Sequence, residues 1–184
     1  MVEQRAENNA RIRYLLEEEE KTLRALVAKR FPAHMEEFDI ALNAGMRKSE
    51  QYALAWPGVR LRRRRIHLDK TRNGATRKIP INRTCFAAFE ALHARRQKGT
   101  PSACVFAVKD TRTRFKVAVE KAQVKNFRWH DLRHTFISRL VMKGVDLRTV
   151  QELAGHKTIA MAVRYAPLAR EHNQAAVETL DPAA

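Results

Sequence analysis

The last third of the chain contains four residues whose types and spacing could support chemistry on a phosphodiester: His130, Arg133, His156 and Tyr165. His130 and Arg133 are three positions apart, so a helix would bring their side chains together one turn apart. The guanidinium of Arg133 can donate to two nonbridging phosphate oxygens, and His130 can donate a hydrogen bond or exchange a proton. The set fits attack of a tyrosine hydroxyl on phosphorus, although His-x-x-Arg alone is a weak signal.

The same segment, HDLRH, also resembles the zinc-binding pattern H-E-x-x-H, because His130 and His134 are four positions apart. Two differences make zinc the less favoured interpretation. Asp131 is shorter than glutamate and would place the carboxylate differently, and Arg133 would put a positive charge beside the metal. We therefore expect neither a metal ion nor an organic cofactor.

The charge balance points to a polyanionic partner. Lys and Arg number 36 against 20 Asp and Glu, which gives a formal net charge of +16 and a pI of about 10.6. Solubility alone rarely requires so one-sided an excess. Nucleic acid is therefore the first partner to expect.

The two cysteines and the hydropathy of the chain predict a location in the reducing cytoplasm. Cys85 and Cys104 have no metal-ligand spacing, so we expect two buried thiols in a reducing environment. No apolar stretch approaches the roughly 20 residues needed to span a bilayer, and the charged start lacks the apolar core of a signal peptide. These patterns predict a soluble, cytoplasmic protein with no membrane partner.

Apolar periodicity predicts the helices that must position the chemistry. One helix begins near Glu17 and is interrupted by Pro32, a second ends at Gly45, and a short helical stretch passes through Glu50 before a break at Pro57. Further helices are predicted at residues 84–97, 111–123, 130–143, 146–154, 159–165 and 170–180.

Strand-like alternation occurs between Val59 and Ile81, where Asn73-Gly74 is a strong signal for a two-residue hairpin turn. A small antiparallel sheet is therefore expected within a mainly helical α+β fold.

The helix predicted from His130 should have one buried stripe, formed by Leu132, Phe136 and Leu140 at four-residue intervals. His130 and Arg133 would then point together from a neighbouring face.

The string HDLRHTFISRLVMKGVDLRTVQELAGHKTIAMAVRYAPL resembles the catalytic core of the tyrosine recombinases, the phage-integrase type. The likeness extends from about residue 15 to residue 180. It implies the fold of that catalytic domain, mainly helical with a small three-stranded antiparallel sheet. It also implies site-specific DNA recombination of the integration or excision type, in which Tyr165 forms a 3′-phosphotyrosyl link and frees a 5′-hydroxyl. The adduct keeps the bond energy, so neither ATP nor a metal is needed.

The resemblance implies further site residues upstream. The segment NAGMRKSEQYALAW supplies an expected arginine, Arg47, with Glu50 as a supporting residue that orients the set. The segment LDKTRNGATRKIPI supplies Lys70, expected to protonate the leaving 5′-oxygen, with Lys78 as the less favoured substitute.

Roles for the remaining residues follow from the same resemblance. Arg47 and Arg133 are expected to bind the nonbridging oxygens, and His156 is expected to donate a hydrogen bond there. His130 is expected to perform acid–base catalysis around Tyr165.

Domain organisation is expected to be simple. Residues 1–14 are interpreted as a linker or a truncated connection and residues 15–184 as the catalytic domain, without the upstream core-binding domain that family members usually carry. The amphipathic segment AREHNQAAVETL would either dock on a neighbouring protomer in a tetrameric synapse on DNA or pack back on its own domain. Both alternatives stay open.

Five residues, called here the arginine cluster, are Arg60, Arg62, Arg63, Arg64 and Arg65. The cluster is expected to follow the phosphate backbone of double-stranded DNA. The alternative is a solvated sheet edge that discourages strand pairing.

Two other functions share part of this pattern. A type IB topoisomerase would use the same nucleophile without exchanging strands, but the AGH and RYAPL contexts favour the recombinase. A DNA-binding regulator that has lost cleavage would not need the complete set of Arg47, Lys70, His130, Arg133, His156 and Tyr165.

Overall fold

The computed structural model describes residues 12–69, 76–96, 104–106, 111–169 and 177. The helices are α1 (Glu17–Arg30), α2 (Met35–Ala44), α3 (Lys48–Tyr52), α4 (Arg83–Ala94), α5 (Thr111–Lys121), α6 (Trp129–Met142), α7 (Leu147–Ala154) and α8 (Ala160–Val163). The strands are β1 (Val59–Arg60), β2 (Arg65–Leu68) and β3 (Arg77–Pro80). Short 3₁₀ turns occupy Pro32–His34, Trp56–Gly58, Leu61–Arg63 and Ala166–Ala169.

The first two helices begin and end where the sequence predicts. Glutamates fill the first turn of α1, and Lys29 and Arg30 lie in its last turn, which matches the helix dipole. Pro32 interrupts the helical run, and α2 ends at Gly45, whose φ is +57°. A Cβ at Gly45 would lie 2.3 Å from Cδ1 of Phe136 on α6, so only glycine allows these helices to approach so closely.

The three strands form one antiparallel sheet in the order β1-β2-β3, as expected. Buried and more exposed residues alternate along β2 and β3, and Ile66 pairs with Ile79 across them. Both isoleucines join a core cluster with Phe89 of α4. The turn predicted at Asn73-Gly74 lies outside the described residues.

The described residues form three apolar core clusters. One lies between the sheet and α4, and a second joins α1, α2 and α5 through residues such as Phe38 and Phe115. The third joins α6, α7 and α8 and includes Tyr165, which is only 3% exposed. The candidate nucleophile is therefore anchored in a packed core rather than in a free loop.

The buried surface of α6 is broader than the predicted stripe. Leu132 is buried as expected, but Phe136 and Leu140 are only partly buried, and Ile137 and Val141 are buried instead. The stripe prediction was wrong for two of its three residues. The reason is that α6 packs against α2 on one side and against α7 and the last 3₁₀ turn on the other.

The two cysteines differ in exposure. Cys85 is buried, and burial raises the pKa of its thiol to about 12. Cys104 is exposed, so the expectation of a second buried thiol was wrong. A single antiparallel bridge to Ala55 holds the backbone of Cys104 and leaves its side chain in solvent.

The remaining boundaries differ modestly from the predictions. The predicted helix 159–165 is shorter, since α8 gives way to a turn before Tyr165. The predicted helix 170–180 lies outside the described residues apart from Val177. Within the predicted linker, Ile12 packs against the third core cluster and Arg13 donates to Glu19 at 2.9 Å. No helix in the described part of the chain is long and apolar enough to cross a membrane.

Candidate active site

Arg133 lies at the centre of the site, on the buried side of α6. Its side chain is 5% exposed, and Nη1 donates to the carbonyl of Gly45 at 2.6 Å. Burial, followed by the charges of Arg47 and Arg77, lowers the pKa of Arg133 to about 9, so it stays charged at neutral pH. Three guanidinium groups thus act on one another in a region that favours an anion.

Arg47 is the N-cap residue of α3, and its side chain connects that helix to the end of α7. Its Nη1 donates to Oε1 of Glu50 at 2.7 Å, and its Nη2 donates to the carbonyl of Gly155 at 3.0 Å. The extended conformation of Arg47, directly after the α2 turn, points its side chain toward that glycine. The structure therefore brings Arg47 and Arg133 to the same site, as the sequence predicted.

Glu50 holds two arginines in place. Its Oε2 accepts hydrogen bonds from the backbone N–H of Arg47 and from Nη2 of Arg77, both at 2.8 Å. Burial alone would raise the pKa of Glu50, but Arg77 and Arg47 lower it below its usual range. Glu50 is therefore an ionised group that holds Arg47 and Arg77 in place, and its supporting role in catalysis stays a prediction.

Arg77 is a member of the site that the motifs did not identify. It is buried on β3, where Nη1 donates to the carbonyl of Leu153 at 3.2 Å. The signal was present, because strand alternation with the buried Ile79 places Arg77 on the inner face. A Cβ at Gly155, whose φ is +64°, would lie 2.4 Å from Nη1 of Arg77, so the glycine before His156 leaves room for this arginine.

Tyr165 is hydrogen-bonded through its hydroxyl to Nδ1 of His134. Burial raises the pKa of Tyr165 to about 12, against the opposing charges of Arg133 and Arg164. Burial, followed by repulsion from His130 and these two arginines, lowers the pKa of His134 to about 4. At neutral pH the pair is therefore a neutral phenol beside a neutral imidazole.

His156 stacks on the tyrosine ring. The two ring centroids are 6.3 Å apart with an interplanar angle of 21°. Burial, followed by Arg133 and Arg47, lowers the pKa of His156 to about 4. Within the described part of the molecule its buried Nδ1 has no hydrogen-bond partner. His156 is thus a neutral donor or acceptor between the tyrosine and the arginines.

His130 is exposed at the start of α6 and packs edge-on against His134, with ring centroids 5.0 Å apart. The structure places His134, one turn further along the helix, on the hydroxyl of Tyr165. The sequence had given the acid–base role there to His130. His134 is the second histidine of HDLRH, and in the sequence its spacing from His130 indicates only the zinc-binding pattern.

The described residues include no group of three or more His, Cys, Asp or Glu side chains arranged to hold a metal. The hydrogen bond between His134 and Tyr165 occupies one nitrogen that the zinc interpretation would have needed.

The structure describes only one of the two lysine candidates. Lys70 lies outside the described residues. Lys78 is exposed on β3 and pairs with His67 across the sheet. Because neighbouring residues of a strand point to opposite faces, Lys78 faces away from the side occupied by Arg77.

The arginine cluster is exposed throughout. It runs through β1, the following 3₁₀ turn and the start of β2, and Arg64 turns the chain with a φ of +46°. The guanidinium of Arg64 stacks on Phe86 with its carbon 4.8 Å from the ring centroid. Residues 12–69 and the other described segments contain no ion pair to any member of the cluster within 4.0 Å.

The amino-acid sequence is similar to a known family and to several known proteins. The family model described as "Phage integrase family" matches residues 10–172. The integrase of Salmonella phage P22 is 30% identical over 180 residues, which cover 89% of this chain and 46% of the relative. The shufflon-specific DNA recombinase of Escherichia coli is 27% identical over 132 residues, covering 71% of this chain and 34% of the relative. The chain thus spans half or less of the length of these two curated relatives.

Solved structures share the fold. The catalytic domain of bacteriophage HP1 integrase has a TM-score of 0.73 at 28% identity, covering 91% of this chain and 95% of that domain. The Tn1549 transposon integrase in complex with circular intermediate DNA has a TM-score of 0.77 at 23% identity, covering 93% of this chain and 68% of that one. These likenesses confirm the expected catalytic-domain fold, mainly helical with a small antiparallel sheet.

Proposed function

The chain belongs to the phage integrase family, and we propose that it cuts and rejoins DNA at specific sites through a 3′-phosphotyrosyl intermediate. The observation that carries the proposal is the convergence of a buried tyrosine hydroxyl, two neutral histidines and three arginines on one region. The tyrosine is a nucleophile, and the arginines bind and polarise a phosphodiester.

The residues divide the work of cleavage. Arg47 and Arg133 bind the nonbridging oxygens, where negative charge grows as phosphorus becomes pentacoordinate. His156 adds a hydrogen bond to the same oxygens. The hydroxyl of Tyr165 loses its proton to a neighbouring base as its oxygen bonds to phosphorus, the bond from phosphorus to the 5′-oxygen breaks, and Lys70 supplies the proton that the leaving oxygen takes. Attack by a 5′-hydroxyl of another strand reverses these steps.

Double-stranded DNA is the proposed substrate and partner. The net charge of +16 and the exposed arginine cluster support it, since exposed arginines neutralise successive phosphates. The names of relatives agree, including a DNA recombinase and an integrase solved with DNA. In the full reaction the protein would assemble as a tetrameric synapse in the cytoplasm of a prokaryotic or phage-infected cell.

The alternatives have less support. A topoisomerase that nicks and closes strands would use a similar site, but the relatives are integrases and recombinases. A DNA-binding relative without cleavage would have no need for a buried network that orients arginines around a tyrosine hydroxyl.

The test is capture of protein–DNA adducts that resist SDS, formed in EDTA on a library of nicked duplexes from candidate element and host DNA. Wild type should form adducts, since arginines rather than a cation supply the positive charge. Tyr165→Phe should form none yet still bind DNA. Tyr14→Phe, a tyrosine outside the site, is the matched control and should behave as wild type. Adducts that persist in Tyr165→Phe, or a wild type that forms none, would refute the proposal.

A further inference from the structure

The hydroxyl of Tyr165 has a specific neighbour whose role the proposed mechanism leaves open. His134 lies one turn after His130 on α6, and its Nδ1 is hydrogen-bonded to the hydroxyl oxygen. The two rings are 5.9 Å apart at an angle of 32°, so His134 approaches from the side of the hydroxyl and does not stack on the ring face. Any proton that leaves the tyrosine at this position has His134 as its nearest acceptor.

The surroundings keep both partners of this hydrogen bond neutral. The groups that face His134 are His130 and Arg133 on its own helix, Arg164 after α8, and His156 after α7. This cationic and buried environment disfavours an imidazolium, and burial disfavours a phenolate. Both partners are therefore neutral, and of the two neutral tautomers the one with its proton on Nε2 lets the tyrosine O–H donate to Nδ1, which is the tautomer that proton transfer requires.

The other two histidines are less suited to take the proton. His156 stacks on the tyrosine ring in a near-parallel arrangement, and among the described residues the hydroxyl is hydrogen-bonded to His134 instead. His130 is exposed and meets the ring of His134 edge-on. His130 lowers the pKa of His134 through its charge, but the hydroxyl of Tyr165 is hydrogen-bonded to His134.

We propose that His134 is the proton acceptor for Tyr165, a role that rests on the proposed DNA cleavage. As the tyrosine oxygen bonds to phosphorus, its O–H bond breaks and the proton moves to Nδ1. The bond to the 5′-oxygen breaks with its electron pair, and that oxygen takes a separate proton from the general acid, proposed as Lys70. In the reverse step the imidazolium returns its proton to the tyrosine oxygen as the phosphotyrosyl bond breaks.

The substrate itself enables this transfer. The pKa values of the free pair are far apart, at about 4 and about 12, so the proton does not move before attack begins. A bound phosphodiester places a negative charge beside Arg133. This negative charge offsets the positive potential of Arg133 at His134, which disfavours a protonated His134 in the free protein. The acceptor therefore gains strength only when the scissile phosphate is in place, and the resting protein keeps its nucleophile protonated.

The decisive comparison is His134→Asn with His134→Ala. An asparagine can accept the hydrogen bond through Oδ1, but it cannot take a proton at neutral pH. If His134 is the proton acceptor, both variants should slow single-turnover cleavage of nicked DNA by about 10²- to 10⁴-fold with little change in DNA affinity. Added imidazole should restore part of the rate to His134→Ala. His134→Asn cleaving at the wild-type rate would overturn the proposal, because a hydrogen-bond acceptor alone would then suffice.

Two controls make the comparison specific. His93→Asn changes an exposed histidine on α4 and should leave the rate unchanged. A substrate with sulfur in place of the scissile 5′-oxygen needs no proton on its leaving group, so it should rescue Lys70→Ala but not His134→Asn. Rescue of His134→Asn by that substrate would assign His134 to the leaving group and refute its role at Tyr165.

A measurement without DNA keeps the proposal testable if a variant misfolds. ¹⁵N NMR of labelled wild type at pH 7 reports which imidazole nitrogen of His134 carries the proton. The proposal predicts an unprotonated Nδ1, and a protonated Nδ1 would overturn it. The proposed DNA cleavage and the proposed role of His134 can fail separately. If Tyr165→Phe loses adducts while His134→Asn cleaves like wild type, DNA cleavage through Tyr165 stands and only the role of His134 is refuted.

Discussion

Replacement of Glu50 by glutamine should remove the charge that holds the arginine network together. The carboxylate accepts three hydrogen bonds of 2.7–2.8 Å, from Nη1 and the backbone N–H of Arg47 and from Nη2 of Arg77. Glu50 is 9% exposed and Arg77 is 9% exposed, so solvent screens these contacts little. In Glu50→Gln, the amide nitrogen would also face an arginine donor.

The size of the effect follows from burial. Removing one partner of a buried ion pair costs about 3–5 kcal/mol, because the other charge stays buried without compensation. For a chain of this size that loss corresponds to a decrease in Tm of roughly 6–20 °C. It is a large share of a total stability of about 5–15 kcal/mol.

The stability that Glu50 contributes should be lost in acid. The pKa of Glu50 is lowered in the folded protein, so its contribution to stability is present above the unfolded pKa of about 4.3 and is lost as pH falls through the folded value. Urea unfolding of wild type and Glu50→Gln should therefore differ most at pH 7. The difference should shrink at acidic pH, where wild type also becomes protonated.

A matched control isolates the role of burial. Glu120→Gln removes a carboxylate that is 62% exposed and lies 3.6 Å from Lys116, so it should change stability by less than about 1 kcal/mol. If Glu50→Gln is as stable as wild type at pH 7, or if its deficit does not shrink in acid, the network does not hold the site as argued.

Two further predictions test the shape of the site and the DNA surface. Gly155→Ala places a Cβ 2.4 Å from Nη1 of Arg77 at a φ of +64°, so it should reduce both thermal stability and cleavage. Gly144→Ala shares a positive φ of +76° without that clash, and it should reduce stability less and leave cleavage near wild type. Replacing Arg62 and Arg63 by glutamine should reduce the slope of log affinity against log salt by about 0.9 for each phosphate that is no longer neutralised, equally on all DNA sequences. An unchanged slope would place the arginine cluster off the DNA.

Much of the fold could be predicted from local signals. Pro32 and Gly45 mark breaks that backbone chemistry requires, and alternation around Ile66 and Ile79 indicates a half-buried sheet. The stripe on α6 could not be read from spacing, because a helix packed on two sides buries more than one face.

The sequence motifs include the arginines that lie together in the site, but they do not decide which histidine contacts Tyr165. His130 and His134 are one turn apart, so the sequence places both on one helix face and cannot say which one meets the tyrosine. That choice depends on how the turn carrying Tyr165 packs on α6, which is a tertiary contact. Arg77 was missed for a related reason: arginine is rarely buried unless paired, and its partner Glu50 is 27 positions away.

Cleavage through a 3′-phosphotyrosyl link is tested most directly by identifying the residue that becomes linked to DNA. Adducts trapped on nicked duplexes would be digested with protease and nuclease, and the nucleotide-bearing peptide sequenced by mass spectrometry. We expect a nucleotide joined through its 3′-phosphate to the hydroxyl of Tyr165. A nucleotide attached to any other side chain, or through a 5′-phosphate, would contradict this expectation.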